Sequence, residues 1–372
     1  MSRDLVVLSL EPWDDVWRRN QYLIDGLLRG DEDLRVLFVE PSNDLLHSAV
    51  SGRRIHRGRG LRTEPGYEGR LHLLQPDKLL PRLAGPAADA LLRRRVRGVA
   101  ASLGMHAPVL WVNDPGWAGL VARTDWPSLY DMTDDWLAAD RPSRELRRIA
   151  ANEEILMQRT DAVVVCSTGL RDTRAPRRDV VLIPNAVDVE RYRWLRERPA
   201  DLPERSALYL GTLHEDRLDV GLALRAADEA ASVGGRIVFV GPVALAAESA
   251  DRLVDHPAIT LLGPRAWTDV PGYLQHATAL IVPHVVNDFT DSLDPIKLYE
   301  YLAVGRPVVS TPVAGFRDLD TAAVTVAGGS DFVEAVSEVL VSEPARAAMP
   351  DVPDWAERVT AYQQVLEPLL ER

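Results

Sequence analysis

Lys297 and Glu300 stand three residues apart in the run Asp288-Phe-Thr-Asp-Ser-Leu-Asp-Pro-Ile-Lys-Leu-Tyr-Glu-Tyr-Leu-Ala-Val-Gly305, and on a helix they share a face. The run predicts such a helix: Ser292 or Asp294 as its cap, Pro295 just inside, Gly305 as its stop, and the buried strand Pro307–Thr311 beyond. The amino end of a helix offers unpaired N–H groups and the positive pole of its dipole, so at the mouth of a cleft it holds anions. Lys297 in the first turn adds a cation beside a phosphate, and Glu300 a carboxylate able to accept two hydrogen bonds from a diol. Ser292, Leu293 and Asp294, which lead into the helix, complete the expected site.

Other residues suggest proton transfer and ring stacking. Tyr130-Asp-Met-Thr-Asp134-Asp135-Trp136 follows a strand, so Asp134 or Asp135 is the candidate general base for a hydroxyl; the competing reading is a turn-and-cap cluster. The loop Glu11-Pro-Trp13-Asp-Asp-Val-Trp17-Arg18-Arg19-Asn20 offers Trp13 to stack on a ring and Arg18 to bind an anion, against a plainer reading with Trp17 in a helix core and the arginines solvated. His214 and His284 fall at strand ends near the same region. Two basic runs, Arg53-Arg54-Ile-His56-Arg57-Gly-Arg59-Gly-Leu-Arg62 and Arg93-Arg-Arg95 with Arg97, suit either an anionic membrane face or simple solvation. No metal is expected: Asp318-Leu-Asp320 lacks the strand context of a metal motif, and the eight histidines form no close ligand pair.

The elements that must position these groups follow from apolar periodicity. Continuous apolar runs of strand length (5–10, 35–40, 71–74, 109–113, 128–131, 162–166, 180–184) alternate with helical patterns at 17–29, 86–103 and 143–159, the signature of a parallel sheet buried on both faces. A polar segment, 186–205, interrupts the alternation; six further strands follow at 207–211, 236–241, 259–263, 279–283, 307–311 and 323–327. The expected fold is therefore α/β, with two Rossmann-like, doubly wound parallel-sheet domains facing a cleft. The first spans 1–185, the second 206–350, and a C-terminal helix within 351–372 presents Trp355, Val359, Tyr362, Val365 and Leu366 on one face.

Composition narrows the class. The chain is 46% hydrophobic and 26% charged, and 43 Lys and Arg against 55 Asp and Glu leave a formal charge of −12, which argues against nucleic acid as a partner. Cys166, the only cysteine, reads as a small core residue. The apolar start at Leu5–Leu10 is too short for a signal-peptide core and no run spans a bilayer, so a cytoplasmic protein is expected. A dehydrogenase is disfavoured, since Leu10-Glu-Pro-Trp13 and Gly211-Thr-Leu-His214 lack the dinucleotide glycine fingerprint.

The Lys297-Leu-Tyr-Glu-Tyr-Leu-Ala-Val-Gly-Arg-Pro-Val-Val309 block resembles the nucleotide-sugar motif of bacterial GT-B glycosyltransferases, in particular those making teichuronic acid and other exopolysaccharides. Ile183-Pro-Asn-Ala-Val-Asp188 is similar to the interdomain segment of that family, Tyr209-Leu-Gly-Thr-Leu213 to the first donor-domain loop, and Val240-Gly-Pro242 and Leu262-Gly-Pro264 to the next two strand ends. The resemblance implies a metal-independent transferase without a cofactor. It would move a sugar from a nucleotide-diphosphate donor to a hydroxyl acceptor that is a glycan, a lipid-linked sugar or a small molecule; the two basic runs suit peripheral contact with the inner membrane face or a lipid-linked acceptor. It also implies a terminal helix crossing back onto the first domain, and donor binding by Gly211, Thr212, Arg217, Ser292, Leu293, Asp294, Lys297 and Glu300. Ser292 stands where large retaining families carry Glu, Thr212 where they carry Arg, and Arg217 where they carry Lys, so phosphate charge rests on Arg217 and Lys297. A nucleotide-sugar epimerase on the same scaffold and a non-catalytic nucleotide-binding protein are the alternatives.

Overall fold

The computed structural model describes residues 3–44, 58–78, 85–319, 321–342 and 351–372. Arg53, Arg54, His56 and Arg57 of the first basic run, and Asp320 of Asp318-Leu-Asp320, lie outside them.

All seven apolar runs of the first half form parallel strands, because a strand covered on both faces needs apolar side chains pointing both ways. They are β1 (Arg3–Leu8), β2 (Leu34–Val39), β4 (Leu71–Gln75), β5 (Val109–Val112), β6 (Ser128–Met132), β7 (Ala162–Val165) and β8 (Val181–Leu182). In this sheet one strand, β3 (Gly60–Thr63), was not expected; it pairs antiparallel with β4 at the sheet edge, alternating half-buried and exposed residues. Among the described residues the order is β8-β7-β6-β5-β1-β2-β4-β3. The six later runs form a second sheet from β9 (Ser206–Leu210), β10 (Arg236–Val240), β11 (Ile259–Gly263), β12 (Ala279–Val282), β13 (Val308–Ser310) and β14 (Val324–Val326), ordered β11-β10-β9-β12-β13-β14.

Each sheet reverses its winding at its first strand. β1 lies between β2 and β5, and β9 between β10 and β12, so the carboxyl ends of β1 and β9 open onto the crevices where such sheets bind ligands.

Helices cover both faces. Those used below are α1 (Arg19–Gly30), α2 (Gly85–Ser102), α3 (Ala118–Val121), α4 (Ser143–Arg159), α5 (Thr168–Arg174) and α6 (Val189–Arg193), then α7 (Val220–Ser232), α8 (Ala247–Val254), α9 (Val270–His276), α10 (Asp288–Asp291), α11 (Ile296–Val304), α12 (Gly329–Val341) and α13 (Trp355–Leu370). The terminal helix α13 does cross back. Tyr362 stacks on Trp111 of β5 with ring centres 4.5 Å apart, and Val359 fits the gap left by Gly26 of α1. Trp355, Val359, Tyr362, Leu366 and Leu369 thus join the apolar core of the first unit. Cys166 is buried directly after β7, as expected.

Candidate active site in the cleft

A cleft of about 540 Å³ lies between the two sheets and is lined from both. From the second unit come Gly211 and Thr212 after β9, His214 and Arg217, His284 after β12, and Leu293, Asp294, Lys297 and Glu300 around the start of α11. From the first come Glu11, Trp17 and Arg18 after β1, Asn113 after β5, and Asp134 after β6.

Lys297 stands beside a glycine at the end of β9. Gly211 has φ 132°, and a Cβ there would stand 3.2 Å from the Lys297 Nζ. A Cβ on Gly241, at the end of β10, would stand 2.2 Å from the Gly211 carbonyl oxygen. Two glycines therefore let these strand ends touch and leave space for the lysine. The Lys297 ammonium lies 3.8 Å from the centre of the Tyr209 ring and 3.3 Å from His284 Nε2. Burial and the positive field of Arg217 push Lys297 well below the usual lysine range, with Glu300 opposing. Burial, Lys297 and Arg217 likewise depress His284 and keep its imidazole neutral.

Glu300 projects from the same face of α11, as the three-residue spacing requires. The Tyr192 hydroxyl of α6 donates to its Oε1 at 2.6 Å, which leaves the other oxygen available to a ligand. Burial raises the Glu300 carboxyl, while the Tyr192 hydrogen bond and Lys297 draw it back. Tyr192 was not singled out in the sequence; it comes from the interdomain segment, whose path over α11 periodicity does not reveal.

From the first unit, Asp134 lines the cleft and forms an ion pair with Arg217 across it at 3.2 Å. Glu11, also missed in the sequence, sits beside them with Arg18 Nε 3.5 Å away. Its side chain keeps 38% exposure to cleft water, yet protein encloses it on most sides, and this burial pushes the carboxyl up to about 7 against the pull of Arg18. Its position after the first strand was the available signal.

Three expected site residues stand elsewhere. Trp13 is 6% exposed, its ring packed edge-on against Phe38 at 5.2 Å and its backbone N–H donating to Glu40 Oε1, because the loop after β1 folds it back over β2. Trp17 lines the cleft in its place and stacks on Trp267 of the second unit, with ring centres 4.3 Å apart. Asp135 is turned from the cleft by two hydrogen bonds from Arg174, at 2.6 and 2.8 Å, and its Oδ1 also accepts from the Leu137 N–H, the turn-forming alternative. Ser292 is buried behind the site: its hydroxyl donates to the Phe289 carbonyl and its own carbonyl accepts from Ser167. It does not cap α11, whose cap position is Pro295. Asp294 instead accepts from the Asn185 N–H at 2.5 Å and the Tyr299 hydroxyl at 2.7 Å, joining the two units beneath the cleft. Of the first basic run, Arg59 and Arg62 are both paired with the buried Glu40.

Two parallel doubly wound sheets opening onto one shared cleft, with a terminal helix returning to the first, constitute the GT-B fold of glycosyltransferases. Residues 204–342 match the family described as glycosyl transferases group 1, so the second unit carries that domain. The chain is 27% identical over 219 residues to TuaH of Bacillus subtilis (strain 168), a protein named for glycosyl transfer in teichuronic acid biosynthesis; the match covers 54% of this chain and about half, 55%, of TuaH. Among solved structures, sucrose-phosphate synthase from Thermosynechococcus elongatus superposes over 99% of this chain and 96% of its own (TM-score 0.66, 15% identity). Anabaena HepE in complex with UDP and glucose superposes over 100% of both chains (TM-score 0.59, 14% identity). Among the described residues no helix is long and apolar enough to cross a membrane.

Proposed function

We propose that this protein transfers a sugar from a nucleotide-diphosphate donor, with UDP as the nucleotide, to a hydroxyl on a glycan, lipid-linked or small-molecule acceptor. The observation that carries the reading is that Lys297, beside Gly211, lines one cleft together with Arg217 and Glu300, and that Glu11 and Asp134 line the same cleft, Asp134 paired with Arg217. Lys297 and Arg217 take the diphosphate and offset the charge that develops on the leaving nucleotide, so no metal is required. Glu300, steadied by Tyr192, accepts the ribose diol. Glu11 serves as general base for the acceptor hydroxyl, since its raised range matches the ideal for that role. Asp134, the candidate from sequence, holds Arg217 until the donor's phosphates compete for it. Trp17 and Arg18 flank the acceptor entrance. The kinship with TuaH supports an exopolysaccharide acceptor, a cytoplasmic setting and peripheral contact with the inner membrane face, and favours transfer over epimerisation.

The test is a donor screen by thermal shift, followed by UDP release with and without oligosaccharide or lipid-linked acceptors. A bound donor stabilises the native state by mass action. Lys297→Ala and Glu300→Ala should each weaken donor affinity at least about tenfold, the order expected for losing a charge-assisted hydrogen bond, with unaltered melting of the free protein. Unchanged affinity in both would remove the donor site from α11.

A further inference from the structure

A second depression, of about 630 Å³, lies between α2 and α3 of the first unit and shares no lining residue with the cleft. Its floor includes Leu120 and Trp126, and its walls carry Arg93, Arg94 and Arg97 from α2 with Arg123 after α3. No carboxylate lines it. Among the described residues none of these four arginines forms an ion pair, in a chain whose formal charge is −12. Asp89, one turn before Arg93, stands 3.9 Å from Arg148.

Two of the guanidinium groups meet at one point. A Cβ on Gly119 would lie 2.8 Å from Arg93 Nη1 and 3.3 Å from Arg123 Nη1, and Arg123 Nη1 also donates to the Gly119 carbonyl at 3.2 Å. Like charges gathered on one glycine repel each other, a cost that a bound anion reverses. Guanidinium forks match the oxygens of phosphate, and the net negative charge elsewhere is screened beyond roughly 8 Å at physiological salt, so the local cluster governs what approaches.

We propose that this groove is a second, anion-binding site that takes a phosphate group through Arg93, Arg97 and Arg123, with the partly buried Trp126 against the apolar part of the same ligand. The phosphate belongs either to the headgroup of an anionic lipid or to a soluble phosphorylated molecule. The site is independent of the donor reading, since it shares none of the cleft's residues.

The full chain would be titrated by calorimetry with inorganic phosphate and glycerol phosphate, and sedimented with phosphatidylcholine vesicles with and without phosphatidylglycerol. The variant Arg93→Gln/Arg97→Gln/Arg123→Gln is compared with Arg95→Gln/Arg144→Gln/Arg147→Gln, which removes equal charge outside the groove. Saturable binding to the soluble phosphates, or binding only to vesicles containing phosphatidylglycerol, supports the site and identifies the source. In either case affinity should fall at least about tenfold in the groove variant and hold in the control. Phosphate taken up by the donor cleft is untouched by either set, so the fraction lost reports on the groove alone. Gly119→Ala keeps the charge and the helix but displaces both guanidinium tips, and should weaken binding several-fold at unchanged melting temperature. Absence of saturable binding to every probe, equal loss in the control, or full affinity in Gly119→Ala would overturn the proposal.

Discussion

Glu11 shows how one residue's surroundings can set its chemistry. Enclosure raises its carboxyl to about 7 despite Arg18, so it is protonated below that pH and a competent base above it. The expected kcat/KM therefore rises as pH passes through about 7. Glu11→Gln should abolish that ascending limb and lower kcat by roughly 10²- to 10⁴-fold, as measured in a pH profile of nucleotide release. Stability should move the opposite way. A carboxyl whose folded-state pKa lies above its unfolded value contributes stability at low pH that is lost as pH rises through about 7, so Glu11→Gln should melt no lower than the parent at alkaline pH. A residue needed only for structure would lower melting without removing the pH limb.

Among the elements, the strand ends β9 and β10 and the helix α11 form the wall of the cleft proposed to take the donor. Their contact depends on Gly211 and Gly241, both with positive φ, and the second approaches the first too closely for any side chain. Gly241→Ala should destabilise the protein by about 2 kcal/mol or more, since it combines left-handed strain with a backbone clash, and a denaturant melt would measure the loss. The same variant should weaken donor binding, because the Gly211 loop must retreat toward Lys297. α11 meanwhile begins at Pro295 without a side-chain cap, so its first N–H groups have no side-chain acceptor there, as an anion site requires. The acidic residue expected to cap it, Asp294, is committed to Asn185 and Tyr299.

Across the whole molecule, the two units are joined by polar contacts beneath the cleft and by further contacts across it. Arg19, buried in α1, donates to the Asn185 side chain, the Ile183 carbonyl and the Tyr362 hydroxyl; Asn185 continues the chain of bonds to Asp294. The interdomain segment, the terminal helix and the donor wall thus share one buried arginine. Above, Trp17 stacks on Trp267, and Asp134 holds Arg217. Because Arg217 is paired in the free protein, a donor must compete with Asp134 for it. Asp134→Asn should tighten binding of a nucleotide diphosphate by up to about fivefold, the upper end for a solvent-accessible ion pair, in a calorimetric titration. Weaker binding would show instead that Asp134 positions Arg217 for the phosphates.

The sequence by itself determined the parallel strands of both sheets, though not the half-exposed edge strand β3, because apolar runs buried on both faces leave a parallel sheet few alternatives, and it determined the Lys297–Glu300 pair, because helical spacing alone puts the two on one face. Tertiary structure decided which neighbours reached the cleft. Trp13 and Trp17 are four residues apart in one loop, yet the backbone path after β1 buries the former against Phe38 and presents the latter to Trp267. Asp134 and Asp135 are adjacent, and Arg174 from a distant helix turns one of them away. Glu11 acquired its raised range, and Arg93 its place beside Gly119 and Arg123, only through contacts between segments far apart in the chain. Local pattern fixes which elements form; long-range packing fixes where polar side chains point, because their environment is built by residues that spacing cannot relate.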